Sequence, residues 1–231
     1  MTFLSPIFLI SPPQYVKTQA QSLFSSLPSP DAKAVYHLGH ILRSAPIRTT
    51  FTEATTDPAW NLPRRNLNPA PRTHIDFTAR EVRLVLEQAF GGEAAERITA
   101  PADPDTGEPK RFLALSVWRP LKTVRRDPLG YADGRSVDPS ADLVPLRRTY
   151  PDGREGENVV VKSRARGRTH DWYWLSEQAP DEVVVLKLCD SLQTALDKGW
   201  VGQVPHASFQ LEGQEERPVR ESVEVRVVLE W

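Results

Sequence analysis

From residue 111 onward, short apolar runs rich in β-branched and aromatic residues are bounded by proline, glycine or polar turns, which is the pattern of strands. Residues 111–118, 158–162, 171–175, 182–188, 204–209 and 219–229 each read as a strand. In the last of these, Arg220, Ser222, Glu224 and Arg226 fall on one face, while Val223, Val225 and Val227 fall on the other. Such a polar face must look at solvent or into a polar cavity. Residues 127–148, which carry Asp133-Gly134-Arg135-Ser136, read as a proline-containing connection. Residues 190–198 read as a short helix capped by Asp190 or Ser191.

The first half is more broken. Apolar positions at helical spacing predict a helix over 14–27, closed by Pro28. Residues 34–42 read as a strand. Residues 44–72 hold five prolines and little periodicity, so they read as a long loop, with Trp60 a candidate lid. Thr78-Ala79-Arg80-Glu81 has the form of a capping box, opening a helix that Gly91-Gly92 ends. Residues 100–110 read as a loop. Many antiparallel strands with few helices argue for a sandwich or jelly roll, in one domain spanning 1–231.

Composition narrows the function. The net charge is −1, so no electrostatic footprint for nucleic acid or an anionic membrane is expected. The basic group Arg164, Arg166 and Arg168 reads as a solvated loop. One cysteine, Cys189, excludes an internal disulfide and suits a reducing cytoplasm; its apolar neighbours predict a buried, inert thiol. The apolar first ten residues lack a basic start and are interrupted by Pro6. They read as a strand or packing segment, neither a signal peptide nor a membrane span.

The candidate chemistry sits in Thr73-His74-Ile75-Asp76. On a strand, His74 and Asp76 project side by side, which supplies two of the three ligands of a facial triad for non-haem Fe(II). His206, in Val204-Pro205-His206-Ala207-Ser208-Phe209, is the best third ligand. Arg220-Glu221-Ser222 then gives an R-x-S pair of the kind that grips the far carboxylate of 2-oxoglutarate in oxygenases. A bidentate contact there is worth about 1.5–3 kcal/mol. Arg226 shares that strand face and is the rival anchor. His40, Trp118, Arg119, Arg135 and Trp172 are candidate pocket residues, although His40 also suits a buried hydrogen-bonding role, the arginines ion pairs and the tryptophans a core.

These segments resemble one family in order. Leu38-Gly39-His40-Ile41-Leu42-Arg43 looks like F-D-H-T-x-R, His74-Ile75-Asp76 like H-V-D, and Val117-Trp118-Arg119-Pro120-Leu121 like V-W-R-P-L. Asp133-Gly134-Arg135-Ser136-Val137-Asp138 looks like D-A-R-S-V-D, and Lys187-Leu188-Cys189-Asp190-Ser191 like K-x-Y-D-S. Pro205-His206-Ala207-Ser208-Phe209 looks like P-H-T-A-F, and Arg220-Glu221-Ser222-Val223-Glu224-Val225-Arg226 like R-E-S-I-E-V-R. The family is the gibberellin-desaturase-like and cephamycin-hydroxylase-component-like group of tailoring enzymes. The resemblance implies a mainly β fold with flanking helices, a double-stranded β-helix or cupin-like jelly roll. It implies Fe(II), 2-oxoglutarate and O2 as cofactors, and hydroxylation, desaturation or cyclisation of a small secondary metabolite. Gly39 departs from the acidic residue of the family motif, and the N-terminal portion is shorter than is usual. A β-barrel binding protein without turnover and a zinc hydrolase on the same three ligands are the competing classes.

Overall fold

The computed structural model describes residues 32–44, 68–163, 170–192 and 203–231, with the backbone of three short strands between 56 and 67. The expected helix over 14–27, the N-terminal apolar segment, Trp60, the Arg164–Arg168 cluster and the helix beyond residue 192 lie outside the described residues.

Thirteen strands are described: β1 (Ala34–Ser44), β2 (Thr56–Asp57), β3 (Leu62–Pro63), β4 (Arg65–Leu67), β5 (His74–Ile75), β6 (Phe112–Pro120), β7 (Leu129–Ala132), β8 (Leu143–Thr149), β9 (Glu155–Val161), β10 (Trp172–Trp174), β11 (Val184–Asp190), β12 (His206–Ser208) and β13 (Glu221–Glu230). The helices are α1 (Ala79–Phe90), α2 (Gly92–Thr99) and the single turn α3 (Pro139–Asp142). One sheet has the order β11-β6-β13-β1-β4 and the other β10-β7-β12-β5-β9-β8, while β2 and β3 form a separate ribbon. Pairing is antiparallel throughout, except that β4 runs parallel to β1. This is the expected jelly roll: apart from the β8–β9 hairpin, neighbours in the two large sheets are not consecutive in the chain.

Alternation along β13 builds the interior. Val223, Val225, Val227 and Leu229 form one apolar cluster with Leu115. On the opposite face, Val228 joins Trp118, Leu186 and Leu188, over which α1 and α2 lay Val82, Leu86, Ala95 and Ile98. Fully burying aliphatic side chains of this kind contributes about 1.5–3 kcal/mol each. The polar half of that second face, Ser222, Glu224 and Arg226, is turned toward the space between the sheets rather than toward solvent, with Ser222 and Glu224 buried.

Four readings need correction. Residues 127–148 are not a plain connection, because they contain β7, α3 and β8. Three of the four residues in β7 are buried, so it lacks alternation, and β8 is a largely exposed edge strand that tolerates Pro145 because edge strands have spare backbone donors. Gly91 ends α1 at φ 88°, but the chain turns there directly into α2, whose buried Ala95 and Ile98 lie one helical step apart. The capping box is half made. Thr78 Oγ1 accepts from the Glu81 N–H at 3.0 Å, yet the Glu81 carboxylate accepts from the backbone N–H of Glu157 instead of returning to the cap. Similarly, the stretch 44–72 is not all loop, since β4 within it pairs with Ile41–Arg43.

Gly39 has a physical role. The β1–β13 register slips between His37 and His40, and Gly39 at that bulge has φ 93°, a region that side chains with a Cβ rarely occupy. The bulge displaces the pairing just before His40.

Candidate metal centre and cosubstrate cavity

His74 and His206 face each other directly across the β5–β12 pair. That register brings their rings to 4.6 Å between centroids. Asp76 follows β5 by one residue and turns its carboxylate between them. Its Oδ1 is 3.4 Å from His74 Nε2 and its Oδ2 is 3.7 Å from His206 Nε2. One donor atom from each residue lies within 4.8 Å of the other two, close enough for one cation to meet all three.

The tautomers follow from the backbone. His74 Nδ1 is 2.7 Å from the Arg72 carbonyl, and His206 Nδ1 is 3.0 Å from the Val204 carbonyl. A carbonyl only accepts, so each Nδ1 carries a proton and donates, which leaves Nε2 as the nitrogen that faces Asp76 and that can bind a metal once unprotonated. Burial alone would raise the Asp76 pKa, but the Arg226 charge and the two histidines hold it well below the usual carboxylate range. For His206, burial acts downward and the facing carboxylate outweighs it, so its pKa is raised. Asp76 Oδ2 is buried and, among the described residues, no donor reaches it in hydrogen-bond geometry. An ionised carboxylate whose Oδ2 meets Arg226 only as an ion pair, set against two imidazole Nε2 atoms, is a donor set that fits Fe(II).

Two cavities meet at this wall. The larger, about 430 Å³, borders His74 and Asp76 and is walled by Ile41, Phe77, Val85 and Leu146, with His40 and Asn158 among its polar members. Ala70, Pro71 and Arg72, the described end of the proline-rich stretch, line it too. The smaller cavity is lined by His74 and His206 and also by Arg220, Trp118 and Ser208. Arg220 is buried, with its guanidinium carbon 5.3 Å from the Trp118 ring centroid. Its Nη1 donates to the Asp127 carbonyl at 2.8 Å and lies 3.5 Å from Ser208 Oγ. Burial first, and the Arg43 charge second, lower the Arg220 pKa to about 10, so it remains a cation at neutral pH. Arg220 Nε and Ser222 Oγ are both buried without a hydrogen-bond partner among the described residues. A buried cation and hydroxyl with unmet hydrogen-bonding capacity suit an incoming carboxylate.

Arg226 is differently placed. Its Nη2 is 3.0 Å from Asp76 Oδ2 and its Nε donates to Glu224 Oε1 at 3.0 Å, so it is engaged at the three-residue cluster and not in the smaller cavity. Of the other candidate pocket residues, His40 lines the larger cavity and Trp118 the smaller. Arg119, Arg135 and Trp172 line neither. Arg119 donates to the Pro180 carbonyl at 2.6 Å, on the opposite face of β6 from Trp118. Arg135 is exposed and tied to Asp133, while Trp172 is exposed on β10. Sequence reasoning missed Ser208 and Asp127. Ser208 stands two residues after His206 and so shares its face, a usable signal; Asp127, at φ 53° and accepting from Ser208 and Arg220 through its carbonyl, had none.

Fold and site together define the class of jelly-roll Fe(II)/2-oxoglutarate oxygenases. A family profile described as "Oxidoreductase/YMDC permease-like domain" matches residues 14–229. Among the described residues no helix is long and apolar enough to cross a membrane. The chain belongs to that profile's family. It is similar to alpha-ketoglutarate-dependent dioxygenase phiK of Fungal sp., with 34% identity covering 71% of this chain and 54% of that one. It is also similar to the gibberellin cluster GA4 desaturase of Gibberella fujikuroi, with 40% identity covering 53% of this chain and 35% of that one. The chain thus spans about half or less of these relatives. Among solved structures, the iron and alpha-ketoglutarate-dependent endoperoxidase NvfI superposes with a TM-score of 0.66 at 26% identity, covering 94% of this chain and 68% of that one.

Proposed function

We propose that this chain is an Fe(II)/2-oxoglutarate-dependent oxygenase that hydroxylates, desaturates or cyclises a small-molecule secondary metabolite. The observation that carries the reading is the alignment of two incomplete sets of groups. His74 and His206 of the donor cluster line the smaller cavity together with Arg220, whose Nε has no hydrogen-bond partner among the described residues, while the Asp76 carboxylate completes the cluster from the side of the larger cavity. A cation completes the first set; the smaller cavity, at about 10 Å³, holds no more than a water as it stands, so a dicarboxylate reaches Arg220 only as the lining side chains move aside.

In this reading His74, Asp76 and His206 hold Fe(II). The metal, together with 2-oxoglutarate and O2, supplies oxidation of a C–H bond, with succinate and CO2 as co-products. The chain's own work is placement. Arg220 and Ser222 hold the far carboxylate of 2-oxoglutarate, Trp118 walls its carbon chain, and the buried surround keeps water from the reacting centre. The larger cavity takes the substrate beside His74 and Asp76, and its size suits a compact organic molecule. The enzyme works as one domain in the cytoplasm, with neither a nucleic acid nor a membrane as partner.

The test is turnover of 2-oxoglutarate to succinate by the purified chain. We expect Fe(II)-dependent succinate formation, slow without substrate and lost in His206→Ala. Stoichiometric zinc with hydrolytic activity and no iron-supported turnover would replace the reading with a zinc hydrolase. Binding of iron and 2-oxoglutarate with no succinate under any substrate mixture would leave a binding protein.

A further inference from the structure

Arg226 and Glu224 sit on one face of β13, two residues apart, and the proposed function uses neither. Their contacts form a single line into the metal centre. Ser116, opposite Arg226 in the β6–β13 register, donates from Oγ to Glu224 Oε1 at 2.8 Å. The same oxygen accepts from Arg226 Nε at 3.0 Å, and Arg43 Nε stands 3.7 Å from Glu224 Oε2. Arg226 Nη2 then reaches Asp76 Oδ2 at 3.0 Å, with the guanidinium carbon 5.3 Å from the Phe77 ring centroid. Glu224 is 4% exposed, so this line is buried at its origin.

We propose that Arg226 is a positioning residue of the metal centre: it restrains the Asp76 carboxylate in the orientation that faces both histidines, and Glu224 with Ser116 aims it. The inference rests on the reading that His74, Asp76 and His206 hold a divalent metal. Asp76 needs such a restraint. It lies just past a strand of two residues, and one side of it borders the larger, open cavity. A planar guanidinium can donate to Glu224 through Nε while its Nη2 meets Asp76 Oδ2 as an ion pair, whereas an ammonium is a single point charge. Glu224 also borders the smaller cavity, where an uncompensated negative charge would oppose a dicarboxylate. Arg226 and Arg43 compensate it, leaving Arg220 to meet the ligand. The two arginines of the R-x-S-x-E-x-R run therefore divide the work: Arg220 faces the cosubstrate and Arg226 faces a metal ligand.

The experiment is Mn²⁺ titration of the metal-free chain, followed by 2-oxoglutarate titration of the Mn²⁺-loaded chain, for wild type, Arg226→Gln, Arg226→Lys and Glu224→Gln. Loss of a group that orients a metal ligand typically weakens metal binding about 10- to 100-fold. We expect that loss in Arg226→Gln, partial recovery in Arg226→Lys, and a smaller loss in Glu224→Gln, which keeps an acceptor for Arg226. If Arg226→Gln does not fold, Glu224→Gln decides. Unchanged or tighter Mn²⁺ binding in the folded variants overturns the inference, as does a lowered melting temperature with an unmoved Mn²⁺ affinity. Weakened 2-oxoglutarate binding with intact Mn²⁺ binding makes Arg226 a cosubstrate anchor and overturns it too. Wild-type protein that binds no Mn²⁺ refutes the underlying reading, which is a separate failure.

Discussion

A single strand face carries two arginines, and their surroundings assign them opposite duties. Arg226 is a raised-pKa cation: burial alone would lower its pKa, but Asp76 and Glu224 outweigh it. Arg220 instead keeps Nε without a partner beside a serine in the same condition. Arg220→Ala is therefore expected to weaken 2-oxoglutarate binding by about 2–4 kcal/mol, or roughly 30- to 1,000-fold, with Mn²⁺ affinity nearly intact. Paired titrations of the two ligands check this, and weakened Mn²⁺ binding with intact 2-oxoglutarate binding would reverse the assignment. The sequence pattern alone left both arginines open as anchors, because alternation says which residues share a face and not what that face meets. The His74/Asp76/His206 set was legible for a simpler reason. An i, i+2 pair on a strand fixes two donors locally, and only the third required knowledge of the sheet. Cys189 also matches its expectation: it is buried, and burial pushes its thiol up to about 12, out of range for a nucleophile.

At the scale of elements, α1 is pinned at its start by one hydroxyl. Thr78 Oγ1 caps the helix and donates to Glu157 Oε1 at 2.6 Å on β9, tying helix to sheet. Thr78→Ala should cost about 1–2 kcal/mol, measurable by chemical denaturation; a cost near zero would show that water replaces the cap. A second tie closes the far end of β13. Glu230 accepts from Tyr36 at 2.6 Å and pairs with Lys110 at 2.6 Å and Arg97 at 3.2 Å. Burial alone would raise its pKa, but Lys110, Tyr36 and Arg97 outweigh it, and the folded value lies below the ordinary 4.5. Its stabilisation is therefore complete above pH 4.5 and is lost as pH falls through the lower folded value. Glu230→Gln should flatten the fall of the melting temperature below about pH 4.5, and an unchanged acid limb would remove Glu230 from the account. The strands missed in the sequence, β7 and β8, are a nearly uniformly buried strand and an exposed edge. Neither gives the long apolar run by which β6 and β9 are recognised, nor the alternation of β13.

At the scale of the whole molecule, the site depends on two sheets meeting. His74 and His206 come from the β10-β7-β12-β5-β9-β8 sheet, while Arg220, Glu224 and Arg226 stand on or beside β13 in the facing one. No stretch of sequence encodes that meeting; it follows from burying the apolar face of each sheet, which leaves the polar half of β13 opposite the histidines. The order of the motifs is legible in the chain, but their convergence is a property of the fold. The most direct measurement of the central claim is the anomalous diffraction of crystals grown with Mn²⁺ and 2-oxoglutarate. The account predicts one manganese peak about 2.0–2.3 Å from donor atoms of His74, Asp76 and His206, using ordinary imidazole and carboxylate bond lengths, with the far carboxylate of 2-oxoglutarate on Arg220 and Ser222. Manganese bound elsewhere, or 2-oxoglutarate seated on Arg226 with Asp76 turned away, would contradict it.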